Sequence, residues 1–214
     1  MFANRGNNRQ AIYLDTRDRK HFLDLLGEMS GRYVVEIHAY ALMSNHYHLL
    51  VRTPEANLSS AIQWLNVAYS IWWNRRHGRS GHLFGGRFKA VLVEAGDWVL
   101  ACSLYVHLNP VAIQSLGLSK GQKRAEGRGL SKPERAVLIK RLETLRSYQW
   151  SSYGSYAGYA AGAEWLCTKE LLQRSGNKEG YRRMAEDRLK EGEAEGLLSQ
   201  VKWGLILGGA RFAE

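Results

Sequence analysis

The stretch Met43-Ser44-Asn45-His46-Tyr47-His48-Leu49-Leu50-Val51 decides how the rest of the chain is read. Two histidines flank one aromatic residue and lead into a run of strand formers. In a β-strand, residues i and i+2 project from the same face. His46 and His48 therefore stand side by side, with Tyr47 and Leu49 on the opposite face. Two imidazoles one pleat apart can share a divalent cation. The same pattern also suits a strand whose polar face simply carries two histidines.

Outward from this strand, Met43-Ser44-Asn45 is a tight turn, and Arg32 to Leu42 reads as the antiparallel partner. Val35, Ile37 and Ala39 are expected on one face of that partner, with Glu36, His38 and Tyr40 on the other. His38 reads as a hydrogen-bonded sheet-face histidine. Before it, Asp15 or Thr16 caps a helix carrying Phe22, Leu23, Leu26 and Met29 at helical spacing, closed by Ser30-Gly31. A very short first strand, the polar loop Asn4–Gln10 and an extended piece Ala11–Leu14 precede it.

After the histidine strand, Asn57 to Arg76 is an amphipathic helix with the stripe Leu58, Ile62, Leu65, Tyr69 and Trp72. Its basic end, Arg75-Arg76-His77-Gly78-Arg79, suits a solvated helix terminus or a phosphate contact equally. His82 to Glu94 reads as a strand with a bulge at Gly85-Gly86, placing Arg87 and Lys89 on one face. Asp97 caps a helix from Trp98 to Asn109. Gln114–Ser147 holds a basic glycine-rich loop and then a helix from Pro133. Trp150, Tyr153 and Tyr156 suit the core better than base stacking, and two or three small helices complete the chain. The order β-α-β-β-α-β-α, then helical, predicts an α+β fold with a central antiparallel sheet and helices packed on it.

Composition narrows the function. The net charge is +10 and the pI about 9.7, which favours a polyanionic partner such as nucleic acid. Seven Trp and eleven Tyr add surfaces on which unpaired bases stack. The two cysteines, Cys102 and Cys167, form no CxxC motif, which points to a reducing compartment. No apolar run of roughly 18 residues is present to cross a membrane.

Tyr105 and Asn109 in Tyr105-Val106-His107-Leu108-Asn109-Pro110 lie one helical turn apart on one face. A tyrosine hydroxyl is a weak nucleophile at neutral pH unless a cation or base activates it. A cation on His46 and His48 could do so, with Asn109 as a third, oxygen ligand. Pro110 places Asn109 at the end of the helix. His107 points off that face and reads as structural.

With these segments in view, the chain resembles the HUH single-tyrosine transposases, and most closely the REP-associated tyrosine transposases. The resemblance rests on five segments in the family's order: Asn4–Arg9, Met43–Val51, Gly85-Gly86-Arg87-Phe88-Lys89, Tyr105–Pro110 and Trp150-Ser151-Ser152-Tyr153. It covers most of residues 1–158, with a weaker echo in 204–212. It implies a ferredoxin-like, RRM-like HUH endonuclease fold, with a catalytic core over 1–115, a basic loop and helix inserted over 116–147, and a mostly helical extension over 148–214.

The resemblance also implies a chemistry. Tyr105 is the expected nucleophile; His46, His48 and Asn109 are the expected ligands of Mg²⁺ or Mn²⁺. Arg5, Asn7, Asn8, Arg9, Arg87 and Lys89 are the expected DNA contacts. The substrate is single-stranded hairpin DNA such as a REP element, cut through a 5′-phosphotyrosine intermediate and rejoined. A monomer is favoured over a homodimer, in the cytoplasm with the nucleoid. The alternatives are a domesticated relative that holds hairpin DNA or RNA without cutting it, and a phosphodiesterase that uses water and not Tyr105. Three departures from the family are expected: a short or missing first strand at the sheet's edge, a linker between Pro110 and Trp150 that is longer than the family's and carries the basic loop as an insertion, and a chain that ends soon after Phe212 without a further DNA-binding tail.

Overall fold

Alternation in the histidine strand is realised as β3, His46–Arg52, with Tyr47 and Leu49 fully buried. The computed structural model describes residues 1–112, 116, 133–191, 201, 205–209 and 212. Three more strands build the main sheet: β1, Phe2–Arg5; β2, Glu36–Leu42; and β4, Lys89–Ala90. Their order is β2-β3-β1-β4, with antiparallel pairing throughout. The fold is α+β, as the sequence predicts. The first strand differs from expectation: it is four residues long yet lies inside the sheet, paired on both sides.

Two helices cover one face of the sheet: α1, Thr16–Tyr33, and α2, Leu58–Arg76. Phe22 of α1 sits 4.8 Å, ring to ring, from Tyr47 and 5.0 Å from Tyr69 of α2. Leu26, Met29, Ile62 and Leu65 fill the rest of this layer without exposure. The Asp15 side chain caps α1 by accepting from the Asp18 N–H. Asp18, completely buried, takes Leu14 N–H, Arg76 and His77, tying the start of α1 to the end of α2. Arg76 is therefore part of a structural clamp, paired with both Asp15 and Asp18.

The opposite face carries α3, Asp97–Leu108, and behind it the C-terminal helices α4, Arg135–Ser147; α5, Tyr153–Ala157; α6, Lys169–Arg174; and α7, Lys178–Glu191. Tyr153 and Tyr156 are buried core residues and Trp150 is half-buried beneath the Arg19 guanidinium. Two short strands, β5 at Leu92–Val93 and β6 at Ile206–Leu207, pair in parallel at the margin. The basic loop expected after Gln114 falls largely on residues 117–132, outside the described residues.

Several boundaries depart from the sequence reading. Ser30-Gly31 does not stop α1, which runs on to Tyr33 and closes at Val34 with φ 53°. The Arg32 guanidinium lies over Trp64 and Tyr33, contacts that hold this turn helical and shorten β2 at its start. Register shifts between Ile37↔Val51 and Ala39↔Leu50, so His38 is the extra residue of a bulge. Ile37 and Ala39 consequently face opposite sides of the sheet. His38 is buried and its Nδ1 pairs with the Cys167 carbonyl. Ala11–Leu14 is not a strand, because Ile12 and Tyr13 donate to the Ser44 carbonyl of the β2–β3 turn. The long strand expected over 82–94 breaks into β4 and β5. Gly96 and not Asp97 caps α3.

Candidate active site

The histidine face of β3 opens into a cleft of about 470 Å³, lined from β1, the loop after it, β3 and the segment before β4. Arg5, Asn7, Asn8, Arg9, His46, His48, Arg87 and Lys89 all line it. The pairings Arg5↔His46 and Ala3↔His48 put Arg5 and both histidines on one face. Four cationic side chains and no carboxylate line this cleft, which suits a phosphodiester backbone.

Its rim is built by close backbone approach. Asn7–Arg9 is one turn of 3-10 helix, and Asn8 and Arg9 take left-handed angles of φ 50° and 59°. Gly6 N–H donates to Asn45 O, Asn7 N–H to Leu83 O and Gly85 N–H to Arg5 O, all within 2.9 Å. A Cβ at Gly85 would stand 3.3 Å from Asn7 Cα, so glycine lets the two loops meet.

The imidazoles are oriented and held neutral. Asn45 Nδ2 donates to Arg9 O at 3.0 Å, which fixes the amide and turns Oδ1 toward His46 Nδ1 at 2.7 Å. His46 Nδ1 must then carry its proton, leaving Nε2 with a bare lone pair. Burial lowers the His46 pKa to about 4, assisted by Arg5. Burial, then His46 and Arg5, lower that of His48 to about 3. The two rings stand 5.0 Å apart, edge to face. Asn45 was expected only as a turn residue, although its place directly before His46 is the signal that could have marked it.

Tyr105 comes from α3, across the sheet face, with its ring edge-on to His48 at 5.9 Å. It is half-buried and does not line the cleft proper. Asn109 caps α3, and its Nδ2 donates to Tyr105 O at 2.8 Å. That bond leaves Oδ1 as the amide atom able to ligate a cation. Among the described residues, no third His, Cys, Asp or Glu joins the histidines to complete a metal-binding group. The donor set that lines the cleft is two neutral imidazoles, and Asn109 lies outside that lining; such a pair suits a divalent cation only with further oxygens completing its shell.

A family model described as transposase IS200 like matches residues 2–108, half of the chain. The chain belongs to the IS200-like transposase family. That match runs from β1 through the histidine strand to the end of α3, and stops short of Asn109 and the C-terminal helices. IS200-like transposases act on DNA, in keeping with the cationic cleft. No helix among the described residues is long and apolar enough to cross a membrane. No curated protein and no solved structure matches the chain.

Proposed function

We propose that this transposase cuts and rejoins single-stranded DNA at hairpin elements of the REP kind, through a 5′-phosphotyrosine intermediate on Tyr105. One observation carries the reading: Tyr105, from α3, stands edge-on to His48, which lines the cationic cleft. The Tyr105 hydroxyl oxygen attacks the scissile phosphorus. The bond from phosphorus to the 3′-oxygen breaks, and that oxygen leaves as a 3′-hydroxyl with a proton. A 3′-hydroxyl then attacks the phosphotyrosine, restoring the phosphodiester and the tyrosine. No nucleotide cofactor is required, because the phosphotyrosine conserves the bond.

His46 and His48, with Asn109 Oδ1, would hold Mg²⁺ or Mn²⁺, which polarises the phosphate and offsets charge in the transition state. Asn45 orients His46 for this role. Arg5, Arg87 and Lys89 would neutralise backbone phosphates. Asn7, Asn8 and Arg9, on the rim, would contact bases at the foot of the hairpin. Tyr105 and the histidines meet within one chain, which supports a monomer with 1–115 as its catalytic core.

Purified protein with a hairpin oligonucleotide and Mn²⁺ should give a covalent adduct on a denaturing gel. His46→Ala should abolish it, whereas a gel shift without adduct at any metal would favour a non-cleaving binder.

A further inference from the structure

His107 lies two residues beyond Tyr105 and is fully buried. Its ring is held at both nitrogens: Nδ1 is 2.7 Å from Tyr181 Oη and Nε2 is 2.6 Å from Ser152 Oγ. The protons in this chain can be assigned from its ends. Ser103 Oγ–H donates to Leu100 O at 2.7 Å, so Ser103 Oγ accepts from Tyr181 Oη–H at 2.8 Å. Tyr181 having spent its proton, His107 Nδ1–H donates to Tyr181 and Nε2 accepts from Ser152 Oγ–H. Ser152 Oγ in turn accepts the Tyr40 N–H at 2.9 Å, and Ser152 N–H returns to Tyr40 O at 3.0 Å.

The result is a single-polarity chain: Tyr40 N–H, Ser152, His107, Tyr181, Ser103, Leu100 O. Every donor and acceptor in it is used with His107 neutral. It starts on β2, the neighbour of the histidine strand. It crosses Ser152 at the head of α5, enters α3, passes to α7 and returns to α3. Apolar packing alone would let α3, which is apolar on most sides, slide or rotate on the sheet. Two hydrogen bonds to one ring of fixed orientation do not.

We propose that the Ser152–His107–Tyr181 relay is the positioning device for Tyr105: it fixes the rotation and register of α3 on the sheet, and so the approach of the tyrosine to His48. The proposal rests on the reading of Tyr105 as nucleophile. It assigns a task to Ser152 of the Trp150–Tyr153 segment and to the C-terminal helix α7, which the family match does not reach. None of the three is a catalytic residue, since each acts through the placement of α3.

The test is Tyr181→Phe, which keeps the ring and removes one hydroxyl, with Ser152→Ala as a second break in the same chain. At a temperature where circular dichroism shows each variant fully folded, affinity for hairpin DNA should stay within about twofold. The rate of adduct formation should fall roughly tenfold to a hundredfold, the scale of an ångström-sized misplacement. The double variant should be little worse than either single one. In parallel, 3-fluorotyrosine placed at position 105 should give one sharp ¹⁹F line in the parent protein and a shifted or broadened line in Tyr181→Phe. Lowered melting temperature with an unchanged cleavage rate per folded molecule and an unchanged ¹⁹F line would overturn the proposal. If the parent protein forms no adduct, the nucleophile reading fails, and the ¹⁹F arm alone still decides whether the relay sets the place of residue 105.

Discussion

Asn45 fixes His46 through one amide, with Nδ2 on Arg9 O and Oδ1 on His46 Nδ1. Asn45→Ala should release the ring and weaken Mn²⁺ binding in the presence of single-stranded DNA by about 10- to 100-fold, as loss of an orienting partner generally does. Isothermal titration reads this directly, and an unchanged affinity would remove Asn45 from the site. Asn45 was visible in the sequence only as a turn former. Its second task depends on where Arg9 O arrives, which the left-handed turn at Asn8 and Arg9 determines. The pair His46 and His48, in contrast, was legible from spacing alone, because strand geometry forces i and i+2 to one face. Tyr181 carried no signal at all, since it lies 74 residues from His107.

Helices α1 and α2 were legible because long apolar stripes at a 3.6-residue period leave little alternative. Their junction was not, because it is made by charge. Arg76 holds the Asp15 carboxyl at a pKa of about 2, chiefly by hydrogen bonding, below its ordinary 3.8. Since the folded value is the lower one, this contribution is full above pH 3.8 and is lost as pH falls towards 2. Asp15→Asn should therefore melt below the parent protein at pH 5, and the gap should close by pH 2; a constant gap would contradict the pairing. Asp18 is the deeper half of the clamp, and Asp18→Ala should cost about 1–3 kcal/mol by leaving the Leu14 N–H and His77 without their acceptor while Arg76 keeps Asp15, as measured by urea denaturation. Strand boundaries were less legible. The segment 82–94 alternates convincingly, yet pairing depends on a four-residue β1, which offers β4 only Phe2 and Ala3 as partners. Bulging at His38 was invisible for a similar reason, since one extra residue leaves the local pattern intact.

Taken whole, the molecule places its cations unevenly: the cleft gathers Arg5, Arg9, Arg87 and Lys89 with no carboxylate. If Arg87 and Lys89 each neutralise a phosphate, replacing either with Ala should lower the slope of log K against log salt by about 0.7 for single-stranded DNA, without changing the fold. Fluorescence anisotropy over a salt series measures that slope, and an unaltered slope would place the two residues off the DNA path. Basic composition pointed to a polyanion, but only the sheet order gathers the first loop, the histidine strand and the segment 85–89 around one cleft. The central claim is that Tyr105 becomes covalently joined to DNA. Cutting after lysine and arginine releases Tyr105 as the sole tyrosine of the peptide 90–120. Mass spectrometry of protein incubated with hairpin DNA and Mn²⁺, then digested with trypsin and nuclease, should find a nucleotide phosphate on that peptide and none with Tyr105→Phe. A nucleotide on any other tyrosine, or an adduct that survives Tyr105→Phe, would contradict the account.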